Sequence, residues 1–97
     1  CRMKRENLIL TRNFGKISPC QREHTVTYRV EQMDRGAQMR LVGAWAEDTV
    51  CHVLRLPEIP YNMAVKLTRF LYDNSVEPDS ALDILTDMQV GYCEMLQ

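Results

Sequence analysis

Glycine is scarce in this sequence, and none of its four glycines lies close to another. A phosphate-binding loop needs closely spaced glycines whose backbone N–H groups can approach the anion, so the sequence gives little support to nucleotide binding. The G-x-S-x-G and H-E-x-x-H patterns of hydrolases and zinc peptidases are also missing. No stretch free of charged residues approaches the roughly 20 residues that cross a bilayer, so we expect no membrane partner.

The cysteines are few and widely spaced. There is no C-x-x-C pair, so the spacing is not that of a zinc or thioredoxin motif. The charged first residues, Cys1–Glu6, carry no apolar signal core. We therefore expect reduced thiols in a cytoplasmic protein, and not the two disulfides that an even count would allow in a secreted one.

The 97 residues, 45% hydrophobic and 26% charged, predict a single globular domain over 1–97. Its expected parts are a basic arm or hairpin over 1–23, antiparallel strands over 24–56 and a helix pair over 60–90. The predicted fold class is α+β: a mainly antiparallel β meander of three to five strands, followed by two C-terminal amphipathic helices packed on one face.

The strands are predicted from alternation. Val26, Tyr28 and Val30 fall on one face of a strand that begins at His24, and Asp34-Arg35-Gly36 supplies the turn of a hairpin over 24–46. A third strand over 49–56 ends at Pro57.

Two further features of the β region are less regular. Gly43 lies inside the second hairpin strand, which indicates a bulge or a close approach by Trp45 or Tyr28. Nearer the start, a short strand over 7–11 is expected to reach a turn at 12–15 and to continue at Lys16.

The helices are predicted from three- and four-residue spacing. The first begins at Pro60 and ends near Asn74, and the second begins at Pro78 and ends or weakens at Gly91. The residues expected on the apolar stripe of the first helix are Ala64, Leu67, Phe70 and Leu71, flanked by Met63 and Tyr72. Those expected to be buried on the second are Leu82, Ile84, Leu85 and Met88.

The second helix carries an acidic stripe, because Asp79, Asp83 and Asp87 recur every four residues. One helix face offers too few converging oxygens for a metal ion. The stripe is therefore interpreted either as a solvated outer face or as a docking surface for a basic partner.

Charge is unevenly distributed along the chain. The first 23 residues carry six basic and two acidic side chains, whereas residues 73–97 carry six acidic and none basic. Either the basic start lies near the acidic end in the fold, or opposite ends attract between subunits. The basic residues proposed as part of an interaction surface are Lys4, Arg5, Arg12 and Lys16.

Cys20, His24, Cys51 and His52 have the residue types of a zinc site but not its spacing. Cys51 and His52 are neighbours on a strand, so their side chains point to opposite faces. We assign no catalytic, cofactor-binding or metal-binding residue.

The second half of the chain has a succession of elements that resembles a known family. Residues 49–88 combine a strand, a helix with Ala64-Val65-x-Leu67-x-x-Phe70-Leu71, the connector Asn74-x-Val76-x-Pro78 and a helix with Leu82-Asp83-Ile84-Leu85-x-Asp87. This succession resembles a bacterial family of roughly 100-residue proteins of unknown function. The resemblance implies a cytoplasmic bacterial protein and brings no activity or site.

The leading functional hypothesis is a non-catalytic protein-interaction or regulatory module that binds a protein partner or a second copy of itself, without a cofactor or small-molecule ligand. An alternative is a nucleic-acid-associated regulator that uses the basic segment 1–23. A small enzyme or ligand binder built around Cys51, His52 or Trp45 is the third hypothesis.

Overall fold

Five strands form one antiparallel sheet in the order β1-β2-β3-β4-β5, and two helices lie in the chain between β4 and β5. The computed structural model describes residues 6–15 and 22–95. The bounds are β1 Asn7–Phe14, β2 His24–Gln32, β3 Ala37–Trp45, β4 Thr49–Leu56, α1 Tyr61–Asp73, α2 Pro78–Asp87 and β5 Cys93–Met95. The predicted α+β meander with two helices is confirmed.

The β2–β3 hairpin turns at Gly36, as the sequence predicts. Gly36 has a φ of +72°, a left-handed conformation that glycine adopts without a steric penalty. The position is also crowded, because an added Cβ would lie 2.0 Å from the Leu56 carbonyl oxygen. This turn sets a register in which Tyr28 pairs with Leu41 and Arg29 pairs with Arg40.

Both helices cover the same face of the sheet, and the core lies between the two layers. Along β2 every second side chain is buried, which places Val26, Tyr28 and Val30 beneath the helices. Leu41 on β3 and Leu54 on β4 continue this layer. The intervening side chains point to the opposite face, on which no described helix packs.

Polar contacts attach the helix layer to the sheet. The buried Tyr28 hydroxyl donates a 2.7 Å hydrogen bond to the carbonyl of Val76, in the connector between the helices. Burial raises the pKa of Tyr28 to about 12, so the hydroxyl stays protonated and remains a donor. Arg12 of β1 donates through Nε to the carbonyl of Tyr72, and its guanidinium lies 4.3 Å from the centre of that ring.

The buried face of α1 differs from the predicted stripe. It consists of Ala64, Thr68 and Leu71, whereas Phe70 and Met63 are 44% and 48% exposed. Ala64 and Leu71 are buried as predicted, and Leu67 and Tyr72 pack against the core while partly buried. The placement of Phe70 and Met63 was wrong because the prediction gave a threonine no place in an apolar stripe. The Thr68 hydroxyl donates 2.8 Å to the Ala64 carbonyl, which satisfies it inside the core and lets the helix turn this side inward.

The ends of the helices agree better with the sequence than their faces do. Asn74 is the C-cap residue of α1 and α2 begins at Pro78, both as predicted. Helix α2 ends at Asp87, before Gly91, so Met88 lies past the last helical residue and is 47% exposed. The prediction that Met88 is buried was therefore wrong.

The first strand is longer than predicted. β1 continues through Phe14 and pairs along its whole length with β2, so the turn predicted at 12–15 was wrong. Asn13 and Gly15 suggested a turn, but Asn13 occupies an extended position opposite Thr25 and accepts a 3.0 Å hydrogen bond from its hydroxyl. The predicted continuation at Lys16 lies outside the described residues.

After α2 the chain returns to the sheet as the short strand β5, which pairs with β4 at Val53–Arg55. It gives β4 a partner on its outer side over that stretch only. Among the helices that the structure describes, none has the length and apolarity to span a membrane.

Removing the Tyr28 hydroxyl should destabilise the fold. In Tyr28→Phe the Val76 carbonyl loses its partner, and we expect the free energy of unfolding to fall by about 1–3 kcal/mol in urea titrations. The matched control is Tyr92→Phe, which removes an exposed hydroxyl 3.2 Å from Thr86 and should have little effect. Equal losses in the two variants would contradict this role of Tyr28.

Gly36→Ala should be more damaging, because the new Cβ meets backbone atoms in a conformation unfavourable for alanine. We expect a loss of about 2 kcal/mol or more in the free energy of unfolding. Gly91→Ala serves as the control, since no atom lies within 4 Å of its added Cβ. A Gly36→Ala variant as stable as Gly91→Ala would show that the turn tolerates side chains.

Candidate functional site

The face of the sheet opposite the helices is the most distinctive surface of the described chain, and we call it the open face. Its side chains come from alternate positions of all five strands, as the register shows. They are Asn7, Ile9, Thr11, Asn13, Thr25, Thr27, Arg29, Glu31, Gln38, Arg40, Val42, Ala44, Thr49, Cys51, Val53, Arg55, Cys93 and Met95. This face combines positive charge with aliphatic and threonine side chains and has no aromatic ring among its described residues.

Three arginines lie at the centre of the open face. Arg29 of β2 is directly opposite Arg40 of β3. Arg40 is in turn opposite Val53 of β4, so Arg55 lies two residues further along that strand. Like charges directly opposite each other destabilise a sheet, so this arrangement has a cost to folding.

The described residues leave these arginines largely without partners. Their Nε atoms are buried and have no hydrogen-bond partner in the described part of the chain. Arg29 reaches the Glu31 carboxylate only at 3.7 Å, and no described carboxylate forms an ion pair with Arg40 or Arg55. The guanidinium charges of Arg40 and Arg55 therefore have no described counter-ion, so this surface is suited to a negatively charged partner.

Aliphatic side chains lie beside the arginines. Ile9 on β1 and Met95 on β5 are 53% and 42% exposed, although both belong to strands of the sheet. Val53, between Arg40 and Met95 in the register, is buried. A partner that covers this face would therefore gain apolar contact as well as ionic contact.

A second cluster surrounds His52 on the helix-covered side of β4. His52 Nδ1 lies 2.5 Å from a carboxylate oxygen of Glu94 in β5, and Nε2 lies 2.8 Å from a carboxylate oxygen of Asp79 in α2. The hydrogen bond to Asp79, followed by the interactions with Glu94, raises the pKa of His52 above its usual value, while partial burial opposes the rise. Both nitrogens face acceptors, so the imidazolium form, which has two N–H donors, fits this site best.

The His52 cluster links β4, α2 and β5, and neither nitrogen of its imidazole is free to act as a base. Asp79 comes from α2 and Glu94 from β5, so the imidazole ties both to β4. Cys51 and His52 point to opposite faces of the sheet, as predicted, so the Cys51 thiol on the open face cannot reach the imidazole. In the part of the chain that the structure describes, no three His, Cys, Asp or Glu side chains are arranged to hold a metal ion.

His24 is buried at the end of the sheet, where it stabilises the packing of neighbouring side chains. Its ring is stacked between Phe14 and Trp45, with centroids 4.6 and 4.5 Å away. Nδ1 lies 2.8 Å from the Arg22 carbonyl oxygen, and Nε2 lies 2.5 Å from a Glu77 carboxylate oxygen in a contact not aligned as a hydrogen bond. The imidazole is buried, so it strengthens this corner and is poorly placed to act on a ligand.

Trp45 folds back over Gly43, where an added Cβ would lie 2.9 Å from its ring. The close approach by Trp45 that the sequence suggested at Gly43 is therefore confirmed. A depression of about 520 Å³ lies beside the stacked rings, with polar neighbours Asn13, Glu23 and Thr25. We assign it no ligand.

The acidic and basic residues that the sequence proposed as an interaction surface do not lie together in the described structure. Asp79, Asp83 and Asp87 are all exposed on α2, and Asp79 alone contacts His52. Arg12 is half-buried and held against Tyr72, so its guanidinium is used within the fold. Lys4, Arg5 and Lys16 lie outside the described residues.

Sequence reasoning missed the arginines of the open face and the role of Glu94. The register of a hairpin that turns at Gly36 would have placed Arg29 opposite Arg40, so this signal was available. Glu94 and His52 are 42 residues apart in the chain, so no local sequence pattern predicts their contact.

Comparison of the chain with protein-family models, curated proteins and solved structures gave no match. The open face and the His52 cluster are therefore interpreted from their geometry alone.

The His52 cluster predicts a specific dependence on pH. Since the folded-state pKa is raised, the cluster contributes fully below the unfolded pKa, about 6.5, provided that the carboxylates are ionised, and its contribution is lost as pH rises through the folded pKa. Asp79→Asn should lower the His52 pKa in an NMR titration and remove about 0.5–1 kcal/mol of stability near pH 6. The loss should shrink as the solution becomes alkaline.

Asp83→Asn is the matched control, because Asp83 is an exposed aspartate of the same helix without contact to His52. It should leave the titration of His52 nearly unchanged. A His52 pKa that responds equally to both variants would contradict the assignment of Asp79 as its main partner.

Proposed function

We propose that this chain is a non-catalytic protein-interaction module that uses the open face of its sheet to bind an acidic polypeptide surface. The observation that carries the proposal is the group of three arginines, Arg29, Arg40 and Arg55, of which Arg40 and Arg55 have no described carboxylate partner and Arg29 reaches Glu31 only at 3.7 Å. A carboxylate-bearing partner would pair with these guanidinium groups and neutralise the repulsion between Arg29 and Arg40.

The composition of the open face favours a protein partner over a nucleic acid. Single-stranded nucleic acids bind sheets chiefly by stacking bases on aromatic side chains, and the described residues of this face include none. Exposed Ile9 and Met95 fit aliphatic side chains of a protein better than phosphates. The alternative that uses the basic segment 1–23 loses support because Arg12 packs on Tyr72.

The surroundings of the titratable groups favour binding over catalysis. His52 has both ring nitrogens occupied by carboxylates, and His24 is enclosed between two aromatic rings. A nucleophile needs a base within hydrogen-bond reach, and Cys51 lies on the face opposite His52. These residues do not form a nucleophile and base pair.

We further propose that the module acts in the cytoplasm, in line with the bacterial family that residues 49–88 resemble. Cys51 and Cys93 are free thiols, which is compatible with a reducing compartment.

Binding should be measured by fluorescence anisotropy with a labelled helical peptide that carries glutamates at four-residue spacing and leucines beside them. We expect binding that weakens as salt is added, because ionic contacts are screened. Arg40→Gln should weaken it about two- to fivefold, the usual worth of a partly exposed ionic contact. Arg40→Gln should also not lower the stability of the fold, since it removes a like-charge pair.

Arg69→Gln is the matched control, because Arg69 is exposed on α1, outside the open face. It should bind the acidic peptide as the unmodified protein does. The same peptide with lysines in place of glutamates should not bind. Equal losses in the two arginine variants, or preference for a single-stranded oligonucleotide, would refute the proposed use of the open face.

A further inference from the structure

We infer that the acidic surface that covers the arginines is the outer side of α2 from a second copy of this chain. The contact joins the open face of one copy to the aspartates Asp79, Asp83 and Asp87 of the next. This inference rests on the proposed function and adds the identity of the partner.

The spacing of the two charged rows is similar. Aspartates four residues apart on a helix are separated by a rise of about 6 Å, so the three span about 12 Å along its axis. Across the sheet, directly opposite residues such as Arg29 and Arg40 are about 5 Å apart, and a diagonal pair such as Arg40 and Arg55 is about 7–8 Å apart. The arginine row therefore also extends over about 12 Å.

The fold prevents one copy from pairing its own two rows. Helix α2 packs on β3 and β4 from the helix-covered side, whereas the arginines project from the opposite side of the same sheet. The sheet separates the aspartates from the arginines. Their attraction can be satisfied only between molecules.

The charge of α2 suits this role. Pro78–Asp87 contains three aspartates and no basic residue. Asp83 and Asp87 are exposed, and in the described chain neither forms an ion pair or a side-chain hydrogen bond. Met88, 47% exposed at the end of the helix, adds an apolar contact that would meet the aliphatic part of the open face.

The symmetric alternative, in which two open faces stack on each other, is less favourable. It would bring the arginines of both copies together and double an unfavourable like-charge interaction. The open face is complementary to α2 and not to itself. The contact is therefore heterologous, and successive copies add head to tail unless the rotation between them closes a ring.

Two charge-reversed variants test this arrangement. Arg40→Glu/Arg55→Glu gives a chain with an acidic open face, and Asp83→Arg/Asp87→Arg gives a chain with a basic α2. Asp79 is left unchanged because it contacts His52. Each variant alone should lose self-association by about tenfold or more, since like charges then face each other.

Mixing the two variants should restore association, because the acidic open face of the first matches the basic α2 of the second. The remaining surfaces, the native acidic α2 of the first variant and the native arginine face of the second, form the original contact, so the two chains should alternate in a growing assembly. In sedimentation velocity the mixture, like the unmodified protein, should gain mass as its concentration rises and lose it as salt is added. Circular dichroism establishes that each variant is folded.

If a charge-reversed variant fails to fold, Arg40→Gln/Arg55→Gln and Asp83→Asn/Asp87→Asn replace the pair, and both should weaken self-association. A strict monomer at high concentration and low salt would overturn the inference, as would a mixture that does not associate. Binding of the acidic peptide to the open face in that case would preserve the proposed function. If the unmodified protein neither bound the peptide nor self-associated, the proposed function and this inference would both be refuted.

Discussion

The register between β2 and β3 determines which side chains are enclosed and which are presented to a partner. A strand alternates its side chains between two faces, so a slip of one residue would move Tyr28 out of the core and Arg29 into it. The turn at Gly36 opposes that slip, because its left-handed conformation favours glycine and a side chain at this position would collide with the Leu56 carbonyl. The hydrophobic core and the open face are thus two consequences of one turn.

The helix layer depends on this register through its polar attachments. Tyr28 reaches the Val76 carbonyl only because it points towards the helices, and the same holds for His52 and Asp79. Arg12 adds an attachment near the other edge of the sheet through Tyr72. Apolar contacts drive the helices onto the sheet without much directional preference, whereas these hydrogen bonds select one position. Both helices are held on one side, and the other side stays open.

Periodicity predicted the strands of the hairpin, the fourth strand, the C-cap of α1 and the start of α2, since these features depend on residues near one another in sequence. It failed where a hydrogen bond changes the place that hydrophobicity or turn preference assigns to a residue. Thr68 is buried because the Ala64 carbonyl accepts its hydroxyl hydrogen, and Phe70 is exposed as a result. Asn13 is extended because β2 offers it a partner in Thr25. The pairing of Glu94 with His52 depends on how the chain returns after α2, which no local pattern encodes.

The separation of charge in this protein lies across the layers and not only along the chain. β1, which follows the basic start, and β5, near the acidic end, occupy opposite edges of the sheet, and of the described basic segment Arg12 packs against Tyr72, just before the acidic residues begin. The arginines of the open face and the aspartates of α2 are likewise on opposite sides of the sheet. A small net charge of −1 therefore conceals two surfaces of opposite sign that a single copy cannot bring together. Because the sheet that keeps them apart is also the sheet that holds the core, this division cannot be relieved without unfolding, and it favours association with a complementary surface.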